Sequence, residues 1–144
     1  MELKGRVWKD GKSSWWLAEV SFLDVMTQGK TKKKTLEMLE DAIFELLKDS
    51  YGDQIKKKFQ LTINNYEHDL VGVGASDEWL LFALGLKRQR EKCGTTIREA
   101  AKRLKSKSPN AYARYERGYV RPSIEKYNQL LHAANPDRRP LLVC

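Results

Sequence analysis

Hydrophobic and polar residues alternate over two stretches near the start of the chain, residues 2–9 and 13–20, both rich in Val, Trp and Leu. A period of two is typical of β-strands. Gly11, in the short segment between the stretches, favours a tight turn because glycine tolerates a positive φ. The pattern therefore predicts a β-hairpin. Two more short strands are predicted at residues 59–63 and 70–73, joined by a polar turn.

A different spacing begins after Thr31, where apolar residues recur every three or four positions, as on one buried face of a helix. The residues on this face are Leu36, Leu39, Ile43, Leu46 and Leu47. Thr31 can cap the helix by accepting a backbone hydrogen bond, and the helix is predicted to end near Asp49. Residues 1–75 are thus predicted to form an α+β domain, an antiparallel sheet covered on one face by one helix.

From Ser76 onward the pattern predicts helices only. The predicted helix caps are Ser76, Thr96, Ser108 and Ser123, and the predicted stops are Gly94 and Gly118. The fourth helix is predicted to turn Ile124, Tyr127, Leu130 and Leu131 inward. The second and third helices are joined by a short turn, with small Ala101 where they cross. Residues 76–144 are therefore predicted to form a helix-turn-helix domain.

Charge divides the chain in a similar way. Residues 1–85 have a net charge of −2, whereas residues 86–144 hold 15 Lys and Arg against 5 Asp and Glu, a net charge of +10. Such a basic half is expected to meet a polyanion. Both domains are small for independent hydrophobic cores, so packing between them or self-association is expected.

Several functional classes are not expected. No apolar run approaches the ~18 residues of a membrane span, and the first residues lack a secretory signal, which predicts a cytoplasmic protein. Cys93 and Cys144 are interpreted as free thiols, and no cofactor or metal is implied. A two-metal nuclease needs several converging carboxylates. Glu19 and Asp24 are the main strand-associated candidates, so an enzyme is not expected.

The third helix carries the candidate DNA-reading residues. Asn110, Arg114 and Arg117 share one side of it, opposite Tyr112 and Tyr115. Asn pairs bidentately with adenine and Arg with guanine in the major groove; a solvated charged face is the alternative interpretation. The predicted DNA contacts are Thr96, Lys107, Ser108, Asn110, Ala113, Arg114 and Arg117, with Thr95 and Ser106 as further phosphate contacts.

The chain resembles the HicB-type antitoxins of bacterial toxin–antitoxin systems, in the variety with a Cro/C1-type DNA-binding domain. In the first half the resemblance rests on residues 16–20, 23–25, 27–31 and the helix with Leu36 and Ala42-Ile43. In the second half it rests on residues 86–91, Thr96-Ile97-Arg98-Glu99-Ala100-Ala101, residues 110–118 and Pro122-Ser123. It implies a partial RNase H-like N-terminal domain that masks a HicA-type mRNA-cleaving toxin, and a C-terminal domain that represses the operon.

Two positions depart from the family pattern. Lys32-Lys33-Lys34 stands where relatives often have an acidic residue and then alanine. Such a run is usually a solvated face, with a nucleic-acid or acidic-partner contact as the alternative. Lys105 occupies a turn position where glycine is common.

The tryptophans are the candidate toxin contacts, because exposed aromatic residues dominate protein interfaces. Trp8, Trp15 and Trp16 are the candidates, with partial cover by long neighbouring side chains as the alternative, and strand alternation sends Trp15 and Trp16 to opposite faces. Modules of this kind bind DNA as two-fold dimers, for which the fourth helix and the apolar tail at residues 140–144 are candidate surfaces. The alternative function is a free-standing repressor whose N-terminal domain senses a small molecule or a protein.

Overall fold

The computed structural model describes residues 1–137. Its elements, in order, are β1 Leu3–Lys9, β2 Trp16–Val20, β3 Val25–Gly29, α1 Lys32–Tyr51, β4 Leu61–Asn65, β5 Leu70–Ala75, α2 Glu78–Cys93, α3 Ile97–Arg103, α4 Pro109–Glu116 and α5 Ile124–Ala134. Short 3-10 turns occupy Ser21–Leu23 and Gly52–Gln54. The predicted order, an α+β unit followed by helices, is confirmed. The tail at residues 140–144 lies outside the described residues.

The sheet is antiparallel throughout, with the strand order β3-β2-β1-β5-β4. Alternate residues of each strand point to opposite faces, so Val7, Ala18 and Val73 lie buried on one face. Helix α1 covers this face with Leu39, Ile43 and Leu47, all fully buried. The predicted single covering helix is therefore correct, and the opposite face of the sheet carries no helix among the described residues.

The predicted hairpin forms, but its turn is made differently from the expectation. Gly11 has no positive φ. The Asp10 carboxylate closes the loop instead, accepting hydrogen bonds from the Lys12 N–H at 3.3 Å and the Ser13 hydroxyl at 2.8 Å. An Asp side chain can thus replace the glycine conformation by imitating a backbone turn.

Strand β3 is a fifth strand that the sequence pattern did not predict. It pairs along its whole length with β2, from Val20 opposite Val25 to Trp16 opposite Gly29. Its inward residues include Thr27 rather than a large apolar group, which weakens the alternating signal. The Thr27 hydroxyl donates to the Thr35 carbonyl at 3.2 Å and joins this edge strand to α1.

Helix boundaries follow the predicted caps with one exception. Thr31, Thr96, Ser108 and Ser123 each accept a hydrogen bond from a backbone N–H of the first helical turn. Ser76 does not cap α2, because its hydroxyl accepts from the Gln60 N–H at 2.9 Å and Asp77 takes the cap position. Gly94 and Gly118 adopt the predicted left-handed conformation, with φ of 72° and 78°.

The sheet unit and the helical unit share one continuous core, as the small size of each had suggested. Strand β5 ends at Ala75 and α2 begins at Glu78, so the predicted boundary between residues 75 and 76 falls between these two elements. Arg88 of α2 donates to the Leu23 carbonyl at 2.9 Å and the Asp24 carbonyl at 2.8 Å. The α2 helix is thereby fixed to the N-terminal unit by packing and by directional contacts.

Helix α5 is the last described element of the helical unit, and its buried face differs from the predicted one at a single residue, Ile124. Tyr127, Leu130 and Leu131 are buried as expected, whereas Ile124 is 67% exposed. Ile124 is the first helical residue, so it extends past the partner helices instead of facing them. Over residues 1–137, none of the helices combines the length and apolar character needed to cross a bilayer.

Candidate nucleic-acid interface

Helix α4 presents three polar side chains on its outer side. Its first turn is fixed by Ser108, whose hydroxyl accepts from the Asn110 N–H at 3.2 Å, and by Pro109, which needs no hydrogen-bond partner at the first helical position. Asn110, Arg114 and Arg117 are all exposed. Their spacing of four and three residues brings them along one line. This side of α4 is therefore accessible to a binding partner.

The opposite side of α4 is packed. Tyr112 is fully buried, Tyr115 is half-buried and Glu116 is buried. Ala113 was predicted to contact DNA, but it is only 4% exposed and lies with the buried residues. Ala113 is therefore covered by neighbouring parts of the protein in this structure.

Serine hydroxyl groups in the turn between α3 and α4 hold its conformation by local hydrogen bonds. The Ser106 hydroxyl donates to the Ser108 carbonyl at 2.9 Å and accepts from the Ser108 N–H at 3.4 Å. Ser106 thus holds the loop shape instead of offering its hydroxyl to a phosphate. The Ser108 hydroxyl is likewise engaged as the α4 cap. Lys107 is exposed between them, where its ammonium group can reach a ligand.

Lys105 lies in the left-handed region, with φ of 57°. We expect Lys105→Gly to raise the free energy of unfolding by about 0.5–1 kcal/mol, because relief of ~1–2 kcal/mol of strain exceeds the entropic cost of glycine. Urea denaturation measures this change. The matched control is Lys102→Gly within α3, which should lower stability by about 1 kcal/mol. A lower urea midpoint for Lys105→Gly would contradict the strain argument.

The start of α3 exposes one threonine and buries the other. Thr96 is exposed and accepts from the Glu99 N–H at 3.1 Å as the helix cap. Thr95 was predicted as a phosphate contact, but it is buried. Its hydroxyl accepts from Arg103 at 3.1 Å and its carbonyl accepts from Arg90 at 3.0 Å. Thr95 therefore fastens α3 to the rest of the unit.

A buried ion pair supports α4 from within. Arg90 of α2 donates to both carboxylate oxygens of Glu116, each at 2.8 Å, and the two side chains are 14% and 6% exposed. Hydrogen bonding to Glu116 raises the pKa of Arg90. Burial, and then the charge of Glu116, raises the pKa of Tyr112. Sequence analysis missed this pair, since the two residues are 26 positions apart and no local pattern connects them.

The carboxyl end of α4 is held by the N-terminal unit. The Tyr51 hydroxyl donates to the Glu116 carbonyl at 2.9 Å, and the Gln54 amide donates to the Arg117 carbonyl at 2.7 Å. Burial raises the pKa of Tyr51, with smaller contributions from Glu116 and Glu91. The hydroxyl therefore stays protonated as a donor at physiological pH. These contacts were also absent from the sequence analysis, because they join residues more than 60 positions apart.

In a comparison with protein-family models, the helix-turn-helix model matches residues 86–135. Residues 86–135 form a Cro/C1-type helix-turn-helix domain. In this helix-turn-helix domain α4 occupies the place of the recognition helix, which enters the major groove in DNA-binding transcription regulators. Neither the search of curated proteins nor the search of solved structures found a match to the chain.

The three candidate tryptophans occupy different places. Trp8 is half-buried on the face of the sheet opposite α1, with the Arg6 guanidinium 4.8 Å from its ring centre. Trp15 is 40% exposed and precedes β2 in the hairpin loop. Trp16 packs against the core on the α1 side, and Lys32 lies 5.9 Å from its ring centre. We call the face of the sheet opposite α1 the open face. Trp16 does not lie on it, whereas Trp8 and Trp15 are accessible to a partner.

The open face of the sheet is also apolar at other points. Met26 is 59% exposed, and Leu70 and Tyr66 are exposed as well. Glu19, one of the carboxylates considered for catalysis, lies on this face opposite Met26. Asp24 lies 3.9 Å from Arg88 and 3.6 Å from Lys92. Within residues 1–137, no three His, Cys, Asp or Glu side chains lie close enough together to hold a metal ion.

Proposed function

We propose that the chain is a HicB-type antitoxin, a cytoplasmic, non-enzymatic protein that represses its own operon and neutralises a HicA-type mRNA-cleaving toxin. The observation that carries the DNA-binding part is the exposed row of Asn110, Arg114 and Arg117 on α4 of the helix-turn-helix domain. Those side chains suit adenine and guanine edges in the major groove. Thr96 and Lys107 border the row and suit phosphates.

Support for the toxin-binding part comes from the open face of the sheet and its loop. Trp8, Trp15 and Met26 give this surface large apolar side chains beside cations such as Arg6. Aromatic residues and Met are enriched at protein interfaces. A partner would bind on the face of the sheet opposite α1, whereas α4 contacts the N-terminal unit through Tyr51 and Gln54, so the two proposed sites lie on different parts of the molecule.

A two-fold dimer is part of the proposal, because three or four base contacts per subunit specify too short a DNA site. Ile124 and Tyr119, both 67% exposed, are large apolar side chains on the surface of the helical unit. That surface is our candidate for the dimer contact.

Co-expression tests the antitoxin assignment. The product of a short reading frame next to this gene should arrest growth alone and should be harmless with the full-length chain. A Trp8→Ala, Met26→Ala variant should lose this protection yet still bind the DNA upstream of its own gene. Trp16→Phe, altered on the core side, is the matched control and should protect cells.

Two results would overturn the antitoxin assignment. One is the absence of an adjacent reading frame with a toxic product, and the other is failure of the full-length chain to protect. Either result would favour the alternative, a free-standing repressor with a sensing N-terminal domain, and would leave the DNA-binding assignment in place.

A further inference from the structure

Two lysine triplets lie at the two ends of helix α1, one within its first turn and one after its last residue. Lys32, Lys33 and Lys34 form its first turn, and Lys56, Lys57 and Lys58 follow the 3-10 turn Gly52–Gln54 after its last residue. Because α1 has 20 residues, its ends are separated by about 30 Å. The two triplets therefore have the same composition and very different surroundings.

The recognition helix α4 meets only the carboxyl end of α1. Tyr51 and Gln54 donate to the carbonyls of the last residues of α4, at 2.9 and 2.7 Å. Gly118 fits closely beneath them, since a Cβ there would lie 3.2 Å from the Gln54 side chain and 3.1 Å from Leu80. Consecutive Cα atoms are 3.8 Å apart, so the backbone of Lys56 lies within about 8 Å of Gln54, and that of Lys58 within about 15 Å.

The second triplet is held against α1 with its side chains outward. The Ile55 N–H donates to the Tyr51 carbonyl at 3.0 Å, and the Phe59 N–H donates to the Lys56 carbonyl at 2.9 Å. The Phe59 ring packs on Phe44, with centroids 6.4 Å apart. Lys56, Lys57 and Lys58 are all exposed, and Asp53 is the single acidic residue in the segment 52–60. The segment thus presents a net positive surface on a fixed backbone.

The position of this surface relative to α4 suggests its ligand. Helix α4, with eight residues, is about 12 Å long, close to the ~12 Å width of the major groove. The N-terminal residues of a recognition helix contact base edges, so an element just beyond its carboxyl end lies at the edge of the groove, near the phosphate backbone. Arg117 and Arg121 are exposed at the same end. Exposed cations of both units therefore follow the two segments that meet at the Gln54–Arg117 hydrogen bond.

We propose that Lys56, Lys57 and Lys58 form a second, sequence-independent contact with the phosphate backbone of the DNA duplex that α4 reads. The N-terminal unit, with 12 Lys and Arg against 12 Asp and Glu in residues 1–75, then contributes to DNA affinity through this one basic segment. This inference depends on the proposed DNA-binding function and extends it to a surface outside residues 86–135.

The test compares two triple substitutions in the full-length protein. Lys56→Gln, Lys57→Gln, Lys58→Gln removes the proposed contact, and Lys30→Gln, Lys33→Gln, Lys34→Gln removes the same charge at the far end of α1. The control spares Lys32, which lies over Trp16. Affinities for a duplex from the DNA upstream of the gene and for a random-sequence duplex are measured across a series of salt concentrations.

The first variant should weaken binding to both duplexes and reduce the slope of log K against log salt by about 0.9 per lost phosphate contact. The control should keep the wild-type slope. Its charges lie ~30 Å from the end of α1 that contacts α4, well beyond the Debye length of about 10 Å. Lys107→Ala is the positive control for one lost contact. Circular dichroism should be unchanged in every variant, since all the substituted side chains are exposed.

The outcomes separate the inference from the function on which it depends. Equal slopes for the two triple variants, with Lys107→Ala reduced, would overturn the inference and leave DNA binding intact. The same would hold if the Lys56–Lys58 variant lost toxin neutralisation at an unchanged slope, since the surface would then bind protein. Failure of the wild-type chain to bind either duplex would overturn the proposed function itself.

Discussion

Replacing Glu116 with alanine is expected to lower the free energy of unfolding by about 3–5 kcal/mol, the largest effect of any single substitution considered. Arg90 would remain buried without its carboxylate, and an uncompensated buried charge costs far more than the lost attraction alone. The bidentate geometry at 2.8 Å and the low exposure of both side chains place the pair in this regime. Denaturation with guanidinium chloride, followed by circular dichroism, measures the change.

The matched control is Glu37→Ala, an exposed carboxylate on α1, which should change stability by no more than about 0.5 kcal/mol. A double variant, Arg90→Met with Glu116→Met, should be less destabilised than the sum of its single changes, because no lone charge is then buried. Additive losses, or a Glu116→Ala variant as stable as the wild type, would show that the pair does not support α4.

Arg114→Ala, in contrast, should leave the fold intact and weaken specific DNA binding. We expect a loss of about 1–3 kcal/mol per subunit in affinity for the operator, with a smaller loss on a random duplex, because a bidentate contact to a base edge discriminates among sequences. Asn110→Ala should behave in the same way. Fluorescence anisotropy with the two duplexes at one salt concentration gives both affinities.

Arg6→Ala is the control for the loss of an arginine, since Arg6 lies over Trp8 on the open face of the sheet. It should reduce neither the operator affinity nor the preference for the operator over random DNA. If Arg114→Ala reduced both affinities equally, its side chain would be a phosphate contact. Unchanged binding for both α4 variants would mean that this side of the helix does not read bases.

Much of the local structure could be predicted from the sequence. Four of the five predicted cap residues are confirmed. A cap depends only on one side chain and a backbone N–H two or three residues later, so it can be read from local sequence. The exception, Ser76, is informative. Its hydroxyl is taken by Gln60, 16 residues earlier, through the pairing of β4 with β5.

The candidate nucleic-acid interface also has features that local sequence predicts and features that only the tertiary structure decides. The outward direction of Asn110, Arg114 and Arg117 follows from helical periodicity and was predicted. Whether a small residue at the border of that face is covered depends on the tertiary structure, and Ala113, predicted as a DNA contact, is only 4% exposed. The hydroxyls of Thr95 and Ser106 were expected to face DNA but are engaged inside the domain.

The sequence by itself determined the helical segments and the extended segments other than β3, where most of them start and stop, and which half of the chain is basic. These properties depend on interactions within a few residues of one another. Only the tertiary structure decided that Arg90 meets Glu116 and that Tyr51 and Gln54 hold the end of α4, which brings α4 to the carboxyl end of α1. Each of these contacts joins groups far apart in the chain, and packing of the shared core brings them together.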